Sequence, residues 1–346
     1  MKRSTPSRPA LPRPQAPVAS LPPYGDIPKP LVDGIADFPV PEGYDSGDGR
    51  PAAVAWPEHY RSLVDRIAET LWPRWGGFVG RPGWEGAAAE RMHELTELDL
   101  ALTIELQQQH TQPVSQRAKR GGALGDAAPH ARYFEQEDPG RSGVDFPVLA
   151  YLQPEERVAL YGAARLLAQA LNRPLDEASF PRRLEHWSYA HPTAPTLPSK
   201  RELQRPRPHQ VASLHGLAFE VQRAPGAVTS ATPSGHAIQG LMGVAGAIVE
   251  LRRYHRFDAP LLSRLRQYAV DVGDRRVFAG VHFPTDNLAS WCLALSLCSH
   301  VYGQDGDFAR AFMAEAITRH SAVHAALAAS GSPLLAPGLD WLKELL

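Results

Sequence analysis

An apolar stretch rich in small residues, Gly235–Tyr254, constrains the fold more than any other part of the chain. Gly240, Gly243 and Gly246 alternate in it with alanine and larger aliphatic residues, and no charged side chain precedes Glu250. Small side chains let neighbouring helices approach closely. We therefore predict a long helix here, near the centre of a helical bundle.

Helical periodicity dominates the chain. Apolar residues recur at three- and four-residue spacing, whereas the alternation typical of strands is scarce and no hairpin signal occurs. Both observations predict an all-α bundle. The predicted helices cover about 57–71, Trp84–Gln108, Pro154–Leu171, Asp176–Tyr189, 235–254, 258–275, 284–302, 305–329 and 338–345.

The first fifty residues differ in composition from the rest. Residues 1–50 hold 11 of the 33 prolines, and a proline-rich segment with few large apolar residues cannot offset its ordering entropy. We predict a disordered tail over 1–50 and one all-α domain over 51–346. Within that domain, 51–190 forms an N-terminal helical extension with a long loop at 112–147, and 191–346 forms the core that carries the motifs.

Charge and hydropathy exclude several classes of function. A formal net charge of −1 favours no nucleic-acid partner. Uncharged runs end well short of the roughly 20 residues that a membrane span needs, and no signal-peptide layout occurs, so we expect a cytoplasmic protein without a span. Cys292 and Cys298 alone suit neither a zinc site nor a disulfide framework.

A basic segment, Lys200–Pro208, is the first of three clusters whose residue types suit ligand binding or catalysis. Pro206 and Pro208 restrict the backbone, and the residue before each proline is kept out of helical geometry. Arg207 is therefore held in a fixed direction, as bidentate binding of an oxyanion requires, and Lys200 adds a point charge. A solvated basic turn is the alternative interpretation.

The second cluster, Pro233-Ser234-Gly235-His236, opens the long apolar helix. The first N–H groups of a helix lack intrahelical partners and lie at its positive end, so they bind anions readily. Gly235 lets a ligand approach the backbone, and His236 adds a titratable ring. The alternative is that Ser234 is a simple N-cap and His236 a surface residue.

The third cluster runs from Arg276 to Asp286. Pro284 is typical of the first position of a helix, which places His282 just before that helix and Asp286 in its first turn. A carboxylate four residues from a histidine can bond one ring nitrogen and raise the basicity of the other. Such an imidazole is a nucleophile or a metal ligand, although an isolated structural histidine is the alternative.

Together the clusters resemble a known signature. Lys200-x6-Arg207-Pro208, Pro233-Ser234-Gly235-His236 and Arg276-x5-His282-x3-Asp286 follow the order and internal spacing of the superfamily of type 2 phosphatidic acid phosphatases (PAP2) and vanadium haloperoxidases. Arg275 stands where that superfamily commonly has serine.

The resemblance implies roles for eight residues. An oxyanion cradle would be formed by Lys200, Arg207, Ser234, Gly235 and Arg276. His282 would attack phosphorus to give a phosphohistidine, Asp286 would orient His282, and His236 would act as the general acid and base. The expected substrate is a small-molecule phosphate ester, with no cofactor, and a homodimer is compatible with the family.

The same residues serve a second chemistry in this superfamily. In a vanadium haloperoxidase, His282 would be the ligand to vanadate, His236 the acid–base group for peroxide, and the substrates halide, peroxide and an organic acceptor. A non-catalytic anion-binding protein is a third interpretation, but such a protein has no need of an oriented His282–Asp286 pair.

Overall fold

The computed structural model describes residues 58–72, 87–110, 196–203, 205–214, 217, 219, 230–253 and 258–346. Within these ranges the regular structure is helical and contains no strand, which confirms the all-α prediction for this part of the chain. The tail at 1–50, the loop at 112–147 and the helices predicted at Pro154–Leu171 and Asp176–Tyr189 lie outside the described residues.

The described helices follow one another along the chain with a short 3₁₀ turn at Gly303–Asp305. Their bounds are α1 Glu58–Thr70, α2 Ala87–His110, α3 Thr196–Leu203, α4 Pro208–Leu214, α5 Gly235–Arg253, α6 Ala259–Phe278, α7 Pro284–Tyr302, α8 Gly306–His320, α9 Ala322–Ser330 and α10 Ala336–Leu345.

The single helix predicted over 305–329 is wrong, because the chain forms α8 and α9 with a break at Ser321. Ser321 has extended backbone angles, and its hydroxyl accepts a hydrogen bond from the His324 N–H at 3.0 Å. The same hydroxyl donates to the buried carboxylate of Asp274. Ser321 is thus the N-cap of α9, and a partner from α6 holds it in place.

The long apolar helix α5 lies at the centre, as predicted, and packs against α6, α7 and α8. Glycines permit its close approach to α6. A Cβ atom at Gly240 would lie 2.7 Å from the Ala269 carbonyl oxygen, and one at Gly273 would lie 2.7 Å from the Ala237 Cβ. Any side chain at these two positions would push the helices apart.

Helix α2 of the N-terminal extension is packed into the same bundle. It contacts α4, α6, α7 and α9. Leu95, Leu102 and Leu106 are buried along one face of α2, and the Gln107 amide donates to the Phe278 carbonyl at 3.0 Å. The buried face of α2 also carries a carboxylate, Asp99.

None of the helices described by the structure has both the length and the apolar character that a membrane crossing would require.

Candidate active site

The predicted site residues come from four parts of the bundle. Lys200 lies on α3 and Arg207 in the extended link between α3 and α4; the other six stand at helix ends. These six are Ser234, Gly235 and His236 at the start of α5, Arg276 in the last turn of α6, His282 in the following turn, and Asp286 in the first turn of α7. Arg276 is helical because α6 extends three residues beyond its predicted end at 275.

His282 is held between two backbone anchors. Its N–H donates to the Arg276 carbonyl at 3.2 Å, in a turn where Gly280 has a φ of 73°. The next residue, Phe283, donates its N–H to Asp286 Oδ2 at 2.8 Å, so Asp286 caps its own helix. His282 Nδ1 lies 3.1 Å from the same oxygen. The turn therefore fixes the ring and its partner together.

Asp286 is a fully buried carboxylate. Burial acts to raise its pKa, but the Arg205 charge, 3.0 Å from Oδ1, and hydrogen bonds from His282 and Thr232 lower that pKa below its usual range. An ionised Asp286 accepts hydrogen bonds only. The proton on His282 therefore lies on Nδ1, which leaves a lone pair on Nε2.

Arg207 approaches the other side of the His282 ring. Its Nη1 lies 3.0 Å from His282 Nε2 and donates to the Val281 carbonyl at 2.6 Å. Burial, followed by the Arg207 charge, lowers the pKa of His282 well below its usual value against the opposing effect of Asp286. The ring is thus a neutral imidazole whose Nε2 faces a cation.

His236 lies among the same charges. Its Nε2 atom is buried and has no hydrogen-bond partner among the described residues. Burial lowers its pKa well below the usual value, and neighbouring groups lower it further: Arg276, His282, Arg207 and Lys200. The two histidines and three cations therefore act on one another electrostatically, and His236 is neutral in this state.

Lys200 is anchored by backbone oxygens. Its Nζ donates to the carbonyls of Ser230 at 2.5 Å and Ala231 at 3.1 Å, while the Ser230 hydroxyl donates back to the Lys200 carbonyl at 2.7 Å. Burial and then the charge of Arg207 lower the pKa of Lys200 well below its usual value. These contacts join α3 to the segment that leads into α5.

The start of α5 is buried against α7. The Ser234 hydroxyl accepts from the Ala237 N–H at 3.4 Å, in the manner of an N-cap, and the Ser290 hydroxyl donates to the Ser234 carbonyl at 2.9 Å. The Ser234 N–H donates to the Asp286 carbonyl at 3.4 Å. Ser234 thus acts as an N-cap, and within the described part of the chain its hydroxyl proton has no acceptor and can be donated to an anion.

Sequence reasoning missed Thr196, which precedes Lys200 by one turn of α3. Its methyl carbon lies 3.7 Å from the position that a Cβ at Gly235 would take. Thr196 is buried, and its hydroxyl has no hydrogen-bond partner among the described residues. The four-residue spacing from Lys200 was the available signal, since it places both side chains on one helix face.

Sequence reasoning also missed the residues behind Asp286. Arg205 was noted only for its backbone, yet its guanidinium pairs with both Asp286 and Asp99. The available signal was the position of Asp99, because it falls on the apolar face that Leu95, Leu102 and Leu106 define. A carboxylate on such a face needs a buried partner.

Comparison with known families finds one family that matches part of the chain. The sequence model of the PAP2 superfamily matches residues 187–309. This part of the chain belongs to the PAP2 superfamily. All eight predicted site residues lie inside the PAP2 match, whereas Asp99 lies outside it. No curated protein and no solved structure matches the chain.

The PAP2 segment presents donors for a tetrahedral oxyanion. Two buried guanidinium groups, an ammonium group and the N-terminus of α5 come from the residues named above. These donors suit phosphate and vanadate alike, since both are tetrahedral anions with several acceptor oxygens. For vanadate, His282 Nε2 is the ring nitrogen that carries a lone pair, and here that lone pair faces Arg207 Nη1 at 3.0 Å. Among the described residues, no group of His, Cys, Asp and Glu side chains has the arrangement of a metal site.

Proposed function

We propose that this protein hydrolyses phosphate monoesters through a phosphohistidine on Nε2 of His282. One observation carries the proposal: a neutral imidazole, oriented by an ionised carboxylate, turns its lone pair toward buried cations. Nucleophilic catalysis by histidine requires that protonation state. Membership of the PAP2 superfamily supports the phosphatase class of activity.

In the first step, His282 Nε2 attacks phosphorus and the bond from phosphorus to the leaving oxygen breaks. Asp286 accepts the Nδ1 hydrogen bond and stabilises the positive charge that develops on the ring. His236 donates its proton to the leaving oxygen, so the product leaves as an alcohol. The products of this step are the alcohol and the phosphorylated His282.

In the second step, water attacks phosphorus and the bond to Nε2 breaks. His236, now neutral, takes a proton from that water, and inorganic phosphate leaves. The cradle of Lys200, Arg207 and Arg276 supplies positive charge for the equatorial oxygens in both steps, which is the main requirement of phosphoryl transfer. The Ser234 hydroxyl and the Gly235 N–H add hydrogen bonds.

His236 must be protonated to act as the acid, although it is neutral without substrate. A phosphate monoester brings two negative charges beside the cations that lower the pKa of His236. Those negative charges raise the pKa of His236 and favour uptake of a proton. Substrate binding therefore prepares the acid for the first step.

A vanadium haloperoxidase is the competing function within the superfamily. Vanadate would occupy the same cradle with His282 Nε2 as its ligand, and it would supply the activation of peroxide. The residues around it would keep their roles in binding oxygens and moving a proton at His236. An assay must therefore separate the two activities directly.

One purified preparation, divided in two, makes that separation. The first half is assayed with p-nitrophenyl phosphate, with and without EDTA, and the second is loaded with orthovanadate and assayed for peroxide-dependent bromination of a dye. Hydrolysis that orthovanadate inhibits, without bromination, supports the proposal. Bromination that requires vanadate, without hydrolysis, would replace it with the haloperoxidase. Activity in neither assay would contradict both.

The intermediate gives a second test. After rapid alkaline quenching of a reaction with a 32P-labelled phosphate ester, we expect alkali-stable label on the wild-type protein. We expect none on His282→Ala. His300→Ala is the matched control, because His300 is exposed at the far end of α7 and should label like the wild type. Label on a folded His282→Ala protein would assign the nucleophile to another residue.

A further inference from the structure

A buried ion network connects the N-terminal extension to the candidate nucleophile. Arg205 Nη2 donates to Asp99 Oδ2 at 2.7 Å, and Arg205 Nη1 lies 3.0 Å from Asp286 Oδ1. One guanidinium thus bridges two carboxylates, one from α2 and one from α7. Asp99 and Asp286 are 0% exposed and Arg205 is 1% exposed, so solvent screens none of these charges.

Thr285 completes the bridge. Its hydroxyl accepts from Arg205 Nη1 at 2.6 Å and donates to Asp99, and its N–H donates to Asp99 Oδ1 at 3.4 Å. Asp99 therefore accepts hydrogen bonds on both oxygens. The carboxylate of Asp99 therefore binds α2 to the first turn of α7, which carries Thr285 and Asp286.

Two aromatic rings hold the guanidinium in place. The Arg205 Cζ atom lies 4.4 Å from the ring centre of Trp72 and 4.2 Å from that of Phe283. Trp72 follows α1, and its indole N–H donates to the Leu203 carbonyl at 3.1 Å. A planar guanidinium fits between rings and reaches two acceptors at once, as an ammonium group does not. The position therefore requires arginine.

The network determines which oxygen of Asp286 accepts the hydrogen bond from His282. Asp286 Oδ1 accepts from Arg205 and Thr232, which leaves Oδ2 for the His282 ring and the Phe283 N–H. If Asp99 did not accept the hydrogen bond from Arg205 Nη2, the guanidinium could turn both of its terminal nitrogens toward Asp286. The carboxylate would then be a poorer acceptor for His282 and would rotate away from it.

We propose that Asp99 is a positioning residue, which acts through Arg205 to fix the orientation and charge of Asp286 and hence the nucleophile. The inference rests on the proposed function, in which His282 is the nucleophile. It places helix α2, outside the PAP2 match, within the catalytic unit. Asp99 lies outside the three sequence motifs, and Arg205 occupies one of the unspecified positions between Lys200 and Arg207 in the first motif.

Opposite charge changes at Asp99 and at Arg205 should shift the pH dependence of catalysis in opposite directions. Asp286 faces four charged or titratable groups: Arg205 and His282 at hydrogen-bond distance, and Lys200 and Asp99 through their fields. Burial raises the pKa of Asp99, and the Arg205 charge opposes that rise. Asp99→Asn removes a negative charge and lowers the pKa of the Asp286–His282 pair, so the acid limb of the kcat/KM profile moves to lower pH. Arg205→Gln removes a positive charge and moves that limb to higher pH.

The experiment compares Asp99→Asn and Arg205→Gln with the wild type. For Asp99→Asn we expect kcat to fall about 10–100-fold, the scale typical of residues that orient a catalytic group. KM and the dissociation constant for orthovanadate should change little, because the cradle cations remain. Thr103→Val is the matched control. The Thr103 hydroxyl donates to the Asp99 backbone carbonyl, so the substitution removes a buried hydrogen bond of α2 but leaves the Asp99 carboxylate unchanged. Its kcat and pH profile should match the wild type.

A folded Asp99→Asn protein with wild-type kcat and an unshifted acid limb would overturn the inference. If either charge variant fails to fold, Thr285→Val decides, since it removes the bridging hydroxyl without a change of charge. A tenfold or larger loss of kcat at unchanged orthovanadate affinity supports the inference, and wild-type kcat contradicts it.

A magnetic resonance measurement separates failure of this inference from failure of the proposed function. If the wild-type protein hydrolyses no phosphate ester, the proposed function fails, yet the geometry remains testable. We expect the Nδ1 proton of His282 to give a low-field signal that Asp99→Asn shifts and Thr103→Val leaves in place. An identical signal in all three proteins would overturn the positioning role.

Discussion

Arg207 Nη1 lies 3.0 Å from Nε2 of His282, so a cation covers the nitrogen proposed to attack phosphorus. The same guanidinium is a proposed ligand of the substrate oxygens. A bound oxyanion would offer Arg207 stronger, charge-assisted acceptors than a neutral ring nitrogen. Oxyanion binding and exposure of His282 Nε2 are therefore linked through Arg207, and a substitution of Arg207 tests that link.

Arg207→Lys should weaken orthovanadate binding about 10–100-fold. A point charge replaces a planar fork, and loss of one hydrogen bond to a charged partner costs about 1.5–3 kcal/mol. Titration calorimetry measures the change, with Arg319→Lys as a control, because Arg319 is exposed on α8. Unchanged affinity in Arg207→Lys would remove this residue from the cradle.

Gly235→Ala should weaken binding of an oxyanion without destabilising the fold. The nearest protein atom to a Cβ there is at 3.7 Å, an ordinary contact, and alanine favours a helix more than glycine does. We expect the free energy of unfolding to stay the same or rise by up to about 1 kcal/mol. Orthovanadate affinity should nevertheless fall at least tenfold, because the new methyl group occupies the space of an oxygen near the helix N-terminus.

Urea unfolding and calorimetry on the same Gly235→Ala preparation check both parts of this prediction. Wild-type affinity for orthovanadate would mean that no ligand oxygen approaches the backbone at Gly235. Gly240→Ala provides a contrast, since its Cβ would meet backbone at 2.7 Å and we expect it to lose stability instead.

Oxyanion binding should take up a proton on His236. The pKa of His236 lies well below its usual value because of burial and the adjacent cations, so the ring is neutral at pH 7 in the free protein. A dianion partly neutralises those cations and raises that pKa. Affinity for a dianion should therefore increase as pH falls, by up to about tenfold per pH unit for one proton.

Tungstate suits this measurement because it does not titrate between pH 7 and 8. Calorimetry in buffers of different ionisation enthalpy counts the protons taken up. We expect uptake by the wild type and a flat pH dependence in His236→Gln. Undiminished uptake in His236→Gln would assign the proton to another group, with His282 as the first candidate, and contradict the role of His236 as the acid.

Ser321→Ala should destabilise the fold without affecting the site chemistry. The substitution removes the N-cap of α9 and the hydroxyl donor to the buried Asp274, whose pKa burial raises to about 7. We expect a loss of about 1–3 kcal/mol in the free energy of unfolding. Ser263→Ala, an exposed position on α6, should change it by less than about 0.5 kcal/mol.

Urea denaturation of these two variants provides the test. Equal stabilities of Ser321→Ala and Ser263→Ala would show that the break between α8 and α9 does not depend on the cap. Orthovanadate affinity should match the wild type in both variants.

Local patterns in the sequence account for most of the described helices. Proline at the first position predicted the start of α7 at Pro284, and the small residues of α5 predicted its central place beside α6. The continuous apolar pattern from 305 to 329 hid the break at Ser321. A serine is a good N-cap only when a tertiary partner supports an extended backbone there, and Asp274 lies 47 residues away in sequence.

The three motifs and their spacing selected eight candidate residues through their resemblance to the PAP2 superfamily, and that resemblance implied the roles. Packing decided the rest. Asp99 and Arg205 are 106 residues apart, so nothing local to either one indicates the other. The contact forms only when α2 packs against α7 and excludes water, and a buried charge then depends on whichever partner the fold brings to it. The placement of Arg207 over His282 Nε2 arises in the same way.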